Sequence, residues 1–168
     1  ENHMIRKVDL ATKTVSTIAG LGRQASFQES FPGVTATKQT GPWFGNPQKT
    51  PINSPWALWV HEDNLYIAMA GPHQIWIMPL DESRIGPYAG NAREDIVDGP
   101  LLPNQPLGMG ASSFAQPSGL TSDGQYIYVA DSEGSSIRGV PFDKTKSVFT
   151  VVGTNDLPRG RLFTFGDV

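Results

Sequence analysis

The strongest constraint in this sequence is an internal repeat with a spacing of 62 residues. When Pro55 is aligned with Pro117, the two segments share further residues without any gap: Leu58 and Leu120, Tyr66 and Tyr128, Ala68 and Ala130, Ile75 and Ile137, Pro79 and Pro141, Asp81 and Asp143. Each copy consists of four short apolar runs separated by turn residues, which predicts a four-stranded antiparallel sheet. Residues 1–20 match the second half of the same unit. Such units bury their apolar faces only by stacking against neighbours.

The composition indicates an all-β chain. Its 18 glycines and 14 prolines punctuate the sequence every few residues, and no segment shows the 3.6-residue apolar period of a helix. Strands are expected at 4–10, 15–19, 55–60, 65–70, 75–80, 84–89, 119–122, 125–130, 137–142 and 147–152. Because Pro87 cannot donate a ladder hydrogen bond, we expect the strand 84–89 to lie at a sheet edge.

These features predict a β-propeller fragment with about two and a half four-stranded antiparallel blades. In this single partial propeller, residues 1–20 form half a blade, and residues 55–90 and 117–153 form one blade each. The expected connecting loops are 21–54, 91–116 and 154–168. Because propellers have four to eight blades, the chain is expected to be a fragment, a truncated product, or a protomer that completes its ring with another copy or a partner protein.

The last repeat resembles a known family. Tyr128-Val-Ala-Asp-Ser-Glu-Gly-Ser-Ser-Ile-Arg138 is similar to the core of the NHL repeat, and Ala115-Gln-Pro-Ser-Gly-Leu120 is similar to its lead-in. Near the N-terminus, four residues match the second half of that motif: Asn2, His3, Ile5 and Arg6. The resemblance therefore extends over nearly the whole chain.

The resemblance also covers the connecting loops, while the middle repeat departs from it. The loops, with Asp98-Gly99 and the terminal Phe165-Gly-Asp167, are similar to those of the propeller beside a thioredoxin-like domain in NHL-repeat proteins. In the middle repeat, Met69 replaces the aspartate of the motif and Trp76 replaces its arginine. This departure weakens the expectation of a conserved ring of binding residues at these positions.

The resemblance implies a non-catalytic NHL-type scaffold that binds proteins or a small ligand on the loop faces of the ring. One alternative is a metal-dependent enzyme of the propeller lyase or lactonase kind, with His61, Asp63 or Asp131 facing the central channel. Another is a remnant that folds but has no activity alone. Fold alone does not decide between them.

Five residues are candidate binding residues. Trp43 and Phe44 lie in the long first loop, where large apolar side chains either fold back on the blades or contact a partner. Arg6, Trp76 and Arg138 occupy the same position in successive repeats. We predict no catalytic residue, no metal ligand and no cofactor.

The remaining polar residues favour structural roles. His3 and His73 occupy equivalent repeat positions, which favours a turn hydrogen bond in every blade over a metal site. Asp98 and Asp123 each precede a glycine, the commonest turn pair, and neither belongs to a dense series of calcium ligands. Asp131 directly follows a strand and is expected to cap the blade turn.

Charge and composition exclude several classes of function. A net charge of −3 without a basic cluster argues against nucleic-acid binding. The chain has no cysteine and therefore no disulfide or thiolate chemistry. No apolar run of 18 residues and no signal peptide are recognised, so we expect a soluble chain without membrane contact and leave its compartment open.

Overall fold

The computed structural model describes residues 2–26, 29, 43–104 and 110–153, where ten strands form three antiparallel sheets. The half-blade contains β1 (Ile5–Asp9) and β2 (Thr14–Ala19). The middle blade contains β3 (Pro55–His61), β4 (Asn64–Met69), β5 (Gln74–Pro79) and β6 (Gly86–Ala89). The last blade contains β7 (Pro117–Ser122), β8 (Tyr126–Asp131), β9 (Ser136–Pro141) and β10 (Phe149–Val152). The predicted loop 154–168, with Phe165-Gly-Asp167, lies outside the described residues.

Each sheet is a meander in which every strand pairs with the next one along the chain. The order in the middle blade is β3-β4-β5-β6, so β6, which contains Pro87, is an edge strand of that sheet as predicted. The last blade repeats this order from β7 to β10. The predicted fold class, an all-β propeller fragment, is therefore confirmed.

The apolar core lies between the sheets. Side chains alternate along β4, so Leu65 and Ile67 join the core shared with the half-blade, while Tyr66 and Ala68 join the core shared with the last blade. All four side chains are buried. A strand buried on both faces explains the unbroken apolar run at this position of the sequence.

The connecting loops carry structure of their own beside the edge strands. Gly45 and Ile85 exchange two backbone hydrogen bonds of 2.9 Å, and a 3-10 helix follows at Pro47–Lys49. A Cβ on Gly86 would lie 2.0 Å from the Trp43 carbonyl oxygen, so only glycine permits this close passage of the first loop. Part of the first loop therefore pairs with the middle blade at Ile85, directly before β6.

Two histidines connect successive sheets through equivalent hydrogen bonds. The Nδ1 atom of His3 accepts a hydrogen bond from the Ser54 amide at 3.1 Å, and Nδ1 of His73 accepts one from the Gln116 amide at 3.2 Å. The last blade has Ser135 at this position, with the same positive φ. The expectation of a structural histidine is thus met in two units, where the bond joins one turn to the lead-in of the next blade.

Candidate functional site

A cleft of about 640 Å³ opens between the middle and last blades. It lies at the end of the sheets where β3 and β5 finish and β4 begins. Its walls come from the turn after β3, the residues before and within β6, the second connecting loop and the turn after β9. Its volume falls within the range of small-ligand sites in proteins.

Aromatic rings held at fixed angles form the floor of the cleft. Tyr66 meets Tyr88 edge to face, with ring centroids 5.0 Å apart, and Phe142 at 5.3 Å. The Tyr88 hydroxyl lies 2.8 Å from the Pro141 carbonyl oxygen, to which it donates a hydrogen bond. His61 stacks flat on Phe142, with centroids 3.7 Å apart. These contacts cross the boundary between two blades and preorganise the floor.

Burial keeps both tyrosines of the floor uncharged. It is the largest cause that raises the pKa of Tyr66 and of Tyr88, since a phenolate loses its hydration there. The two phenols therefore act as neutral hydrogen-bonding groups in neutral solution.

Two cations lie on the walls of the cleft. The guanidinium of Arg84 lies 4.8 Å from the centroid of the Phe44 ring, and the ammonium of Lys144 lies 6.0 Å from that of Tyr88. In the described part of the chain, no carboxylate oxygen lies within 4.0 Å of either cation. Glu62 contributes one carboxylate at the other edge of the middle blade. Rings and cations together suit an anion with an apolar body.

The adjacent aromatics of the first loop have different environments. Trp43 folds back on the core, where its ring centroid lies 6.4 Å from that of Trp76. Phe44 remains exposed under Arg84 and lines the cleft. One of the two side chains therefore packs inward, while the other is open to a ligand.

The three residues at the arginine position of the repeat also differ. Arg6 is exposed on β1, whereas Trp76 and Arg138 are buried completely. A direct contact of Trp76 or Arg138 with a ligand would require displacement of the surrounding structure. Among the five predicted binding residues, the structure brings together Trp43 and Trp76, and leaves Arg6, Phe44 and Arg138 in separate places. Their binding role stays a prediction.

Arg138 is the centre of a buried polar cluster in the last blade. Its Nη1 donates to the Ser113 carbonyl oxygen at 2.9 Å and lies 3.4 Å from Asp131 Oδ2. Its Nη2 donates to the Val97 carbonyl oxygen at 3.0 Å and to Asp98 Oδ1 at 2.7 Å. The guanidinium thus joins the blade to two segments of the second connecting loop.

Asp131 balances that guanidinium from inside the sheet. Its Oδ1 accepts a hydrogen bond of 2.7 Å from the Ala115 amide, which lies in the loop before β7 and not in the blade turn after β8 that the sequence predicted it to cap. Burial raises the pKa of Asp131 to about 6, although the Ala115 amide and Arg138 act in the opposite direction. The side chain is therefore a structural carboxylate that titrates above its ordinary range.

Of the two Asp-Gly pairs, Asp123-Gly124 lies in a turn as predicted, whereas Asp98-Gly99 does not, because Gly99 pairs with Val148. Asp98 accepts hydrogen bonds from Arg138 and from the Thr150 amide, the latter at 3.0 Å. Asp123 accepts from the Gln125 amide at 2.8 Å within its turn. The sequence did not predict the hydrogen bond between Asp98 and Arg138, because only the conformation of the second loop brings these residues together.

The described residues include no group of three or more histidine, aspartate or glutamate side chains placed to hold a metal. The metal-dependent alternative named His61 and Asp131 as possible ligands. His61 lies in the cleft, whereas Asp131 lies in the cluster around Arg138, so the two residues belong to different sites. Nor does the described part contain a helix with the length and hydropathy needed to span a bilayer.

An apolar stripe on β3 is exposed on one face of the middle blade. Trp56, Leu58 and Val60 are 45%, 48% and 54% exposed and alternate along one face of the strand. Register places Leu58 opposite Ile67, so the stripe continues the core shared with the half-blade. The half-blade covers the neighbouring strands and leaves β3 open.

Sequence reasoning found the loop aromatics but missed most of the cleft. Tyr66, Arg84 and Tyr88 belong to predicted strands, and Lys144 to a predicted turn region, with no local pattern that marks a site. The alignment of Tyr66 with Tyr128 in the repeat predicted equivalent strand positions but no ligand contact. A cleft between two blades has no signature within either one.

Comparison with known proteins places the chain among NHL-repeat relatives, although no family model matches it. NHL repeat-containing protein 2 of Bos taurus is 37% identical over 191 residues, covering 100% of this chain and 23% of the relative. The Homo sapiens protein of that name is 35% identical with the same coverage. Protein SUPPRESSOR OF QUENCHING 1, chloroplastic, of Arabidopsis thaliana is 34% identical over 99% of this chain and 14% of its own length. The chain thus spans less than a quarter of these curated relatives.

Proposed function

Because the chain is an NHL-repeat protein that forms part of a β-propeller, we propose that it is a non-catalytic binding scaffold that completes its ring by head-to-tail self-association. The exposed stripe of Trp56, Leu58 and Val60 carries this proposal. A contiguous apolar surface that continues a core favours burial against another sheet.

The opposite end of the fragment offers a surface of matching chemistry. On the far face of the last blade, Tyr128 and Phe149 both lie opposite Gly139 in the strand register. Tyr126 meets Phe149 edge to face at 5.2 Å. An apolar stripe at one end and an aromatic row at the other fit a heterologous interface, which closes into a ring when the rotation between copies permits.

Arg6 suggests how a partner strand is recognised at the half-blade. Arg138, its counterpart in the last blade, is neutralised by Asp131 on the adjacent strand β8. In the described residues β1 pairs only with β2, so its other edge is open to a further strand. We expect a carboxylate on such a strand to pair with Arg6, as Asp131 pairs with Arg138.

The test is the mass of the chain in solution, measured by light scattering over a concentration series. A multiple of the 18.2 kDa chain mass at micromolar concentration is expected for the wild type. Leu58→Asp places a charge in the stripe and should yield monomers. The matched control is Leu80→Asp, because Leu80 is 46% exposed but lies at the turn after β5.

Two outcomes would contradict this function. One is a wild-type chain that stays monomeric up to about 100 µM, which would imply an interface weaker than typical specific association. The other is an equal loss of mass in Leu58→Asp and Leu80→Asp, which would show that added charge acts without regard to the stripe. Circular dichroism of both variants establishes that the sheets are retained.

A further inference from the structure

We propose that the cleft between the middle and last blades binds a small aromatic carboxylate, with its ring against Tyr66, Tyr88 and Phe142 and its carboxylate between Arg84 and Lys144. This inference deepens the scaffold proposal by giving one of its surfaces a ligand class. It requires no ring closure, because both blades that line the cleft belong to one chain. A volume of about 640 Å³ accommodates a ligand with one or two rings.

The aromatic floor selects a planar apolar body. Tyr66 and Tyr88 are buried, and their rings stand nearly perpendicular, at 82°. A third ring would add edge-to-face contacts of the kind that stabilise aromatic clusters beyond simple burial. The Tyr88 hydroxyl is already held by the Pro141 carbonyl group, so its ring loses little freedom when a ligand binds.

The cations select a carboxylate. Arg84 and Lys144 are exposed, yet each is positioned beside an aromatic ring that lines the cleft. The planar guanidinium matches a carboxylate in two parallel hydrogen bonds, and the ammonium adds a point charge. Asp81, in the turn before Arg84, accepts a hydrogen bond of 2.9 Å from the Ser83 amide. Hydrogen bonds from Ser83 lower the pKa of Asp81 and the Arg84 charge also lowers it, but no oxygen of Asp81 lies within 4.0 Å of the guanidinium. The two cations are therefore suited to an external anion.

The position of Glu62 limits the ligand to one negative charge. Arg84 precedes β6 at one edge of the middle blade, whereas Glu62 follows β3 at the other edge. An anionic group on the ligand is attracted to the first edge and repelled from the second. A dicarboxylate long enough to reach both edges would place like charges together. The cleft thus favours a monoanion with its ring towards the interior.

The test is isothermal titration of the full 168-residue chain with indole-3-acetate, compared with the uncharged analogue indole-3-acetamide. We expect saturable binding of the acid, and at least about tenfold weaker binding of the amide, since a charge-assisted hydrogen bond contributes roughly that factor. Amide chemical shifts measured in parallel should change around Tyr66, Tyr88 and Phe142. Equal affinity for the two compounds, or no saturation at millimolar concentration, would refute the proposal.

Variants locate the charge effect. Arg84→Gln and Lys144→Gln should each weaken the acid about tenfold and leave the amide unaffected. Lys146→Gln is the matched control, because its ammonium lies 5.5 Å from the Tyr126 ring, two residues from Lys144 and outside the cleft. A similar weakening in Lys146→Gln would overturn the assignment. Titration of monomeric Leu58→Asp separates the two proposals, since we expect it to bind the acid as the wild type does.

Discussion

The middle and last blades fill one equivalent buried position with opposite chemistry. In the last blade, Asp131 at the end of β8 balances Arg138 on β9. In the middle blade, Met69 and Trp76 occupy the same two places, and all four side chains are buried. The strand register is the same, so one backbone accommodates both a charged pair and an apolar pair.

The connecting loops explain why one backbone position accepts both a charged pair and an apolar pair. Trp76 packs against Trp43 from the first loop, and its Nε1 donates to Gln74 Oε1 at 2.9 Å. Arg138 instead takes two carbonyl groups and Asp98 from the second loop. Each loop supplies what its blade requires, because a buried indole requires one acceptor and packing surface, whereas a buried guanidinium requires several acceptors.

The largest expected effect comes from removal of the buried cation. Arg138→Met leaves Asp131 as an unpaired buried carboxylate and should lower the free energy of unfolding by about 3–5 kcal/mol near pH 7.5, measured by urea denaturation. Arg6→Met, at the equivalent exposed position, is the control and should change stability by less than about 0.5 kcal/mol. Similar losses in the two variants would show that burial of the pair has no special cost.

A smaller effect is expected when both members of the pair are replaced. Asp131→Met with Arg138→Met resembles the apolar solution of the middle blade, so its cost should be less than the summed costs of the single changes by about 1–3 kcal/mol. The double-mutant cycle measures this coupling by denaturation. Costs that add within about 0.3 kcal/mol would mean that Asp131 and Arg138 act independently.

A third effect, similar in size to this coupling, concerns pH. Because burial raises the pKa of Asp131 to about 6 from 3.8, the folded chain retains a proton between these values that the unfolded chain has released. The stability that this retained proton on Asp131 contributes is fully present below pH 3.8 and is lost as pH rises to about 6. The stability of the wild type minus that of Asp131→Asn should therefore fall by about 1–3 kcal/mol between about pH 4 and pH 7.

The difference in stability between the wild type and Asp131→Asn reports the titration of Asp131 alone. Burial lowers the pKa of His73, which gives a stability contribution that is lost as pH falls, but His73 is present in both proteins and cancels. A difference that stays constant from about pH 4 to pH 7 would contradict a raised pKa at Asp131. The middle blade has Met69 at this position and should contribute no such dependence.

The repeat determined the strands, their order and the edge position of Pro87, because alternation, turn residues and proline chemistry act over a few neighbouring residues. It also indicated structural roles for His3 and His73, since equivalent positions in stacked units meet equivalent neighbours. Tertiary structure alone decided that Trp43 packs inward while Phe44 lines a cleft, and that Asp98 reaches Arg138. These outcomes depend on how loops and blades meet in space, and contacts between residues far apart in the chain leave no local pattern to read.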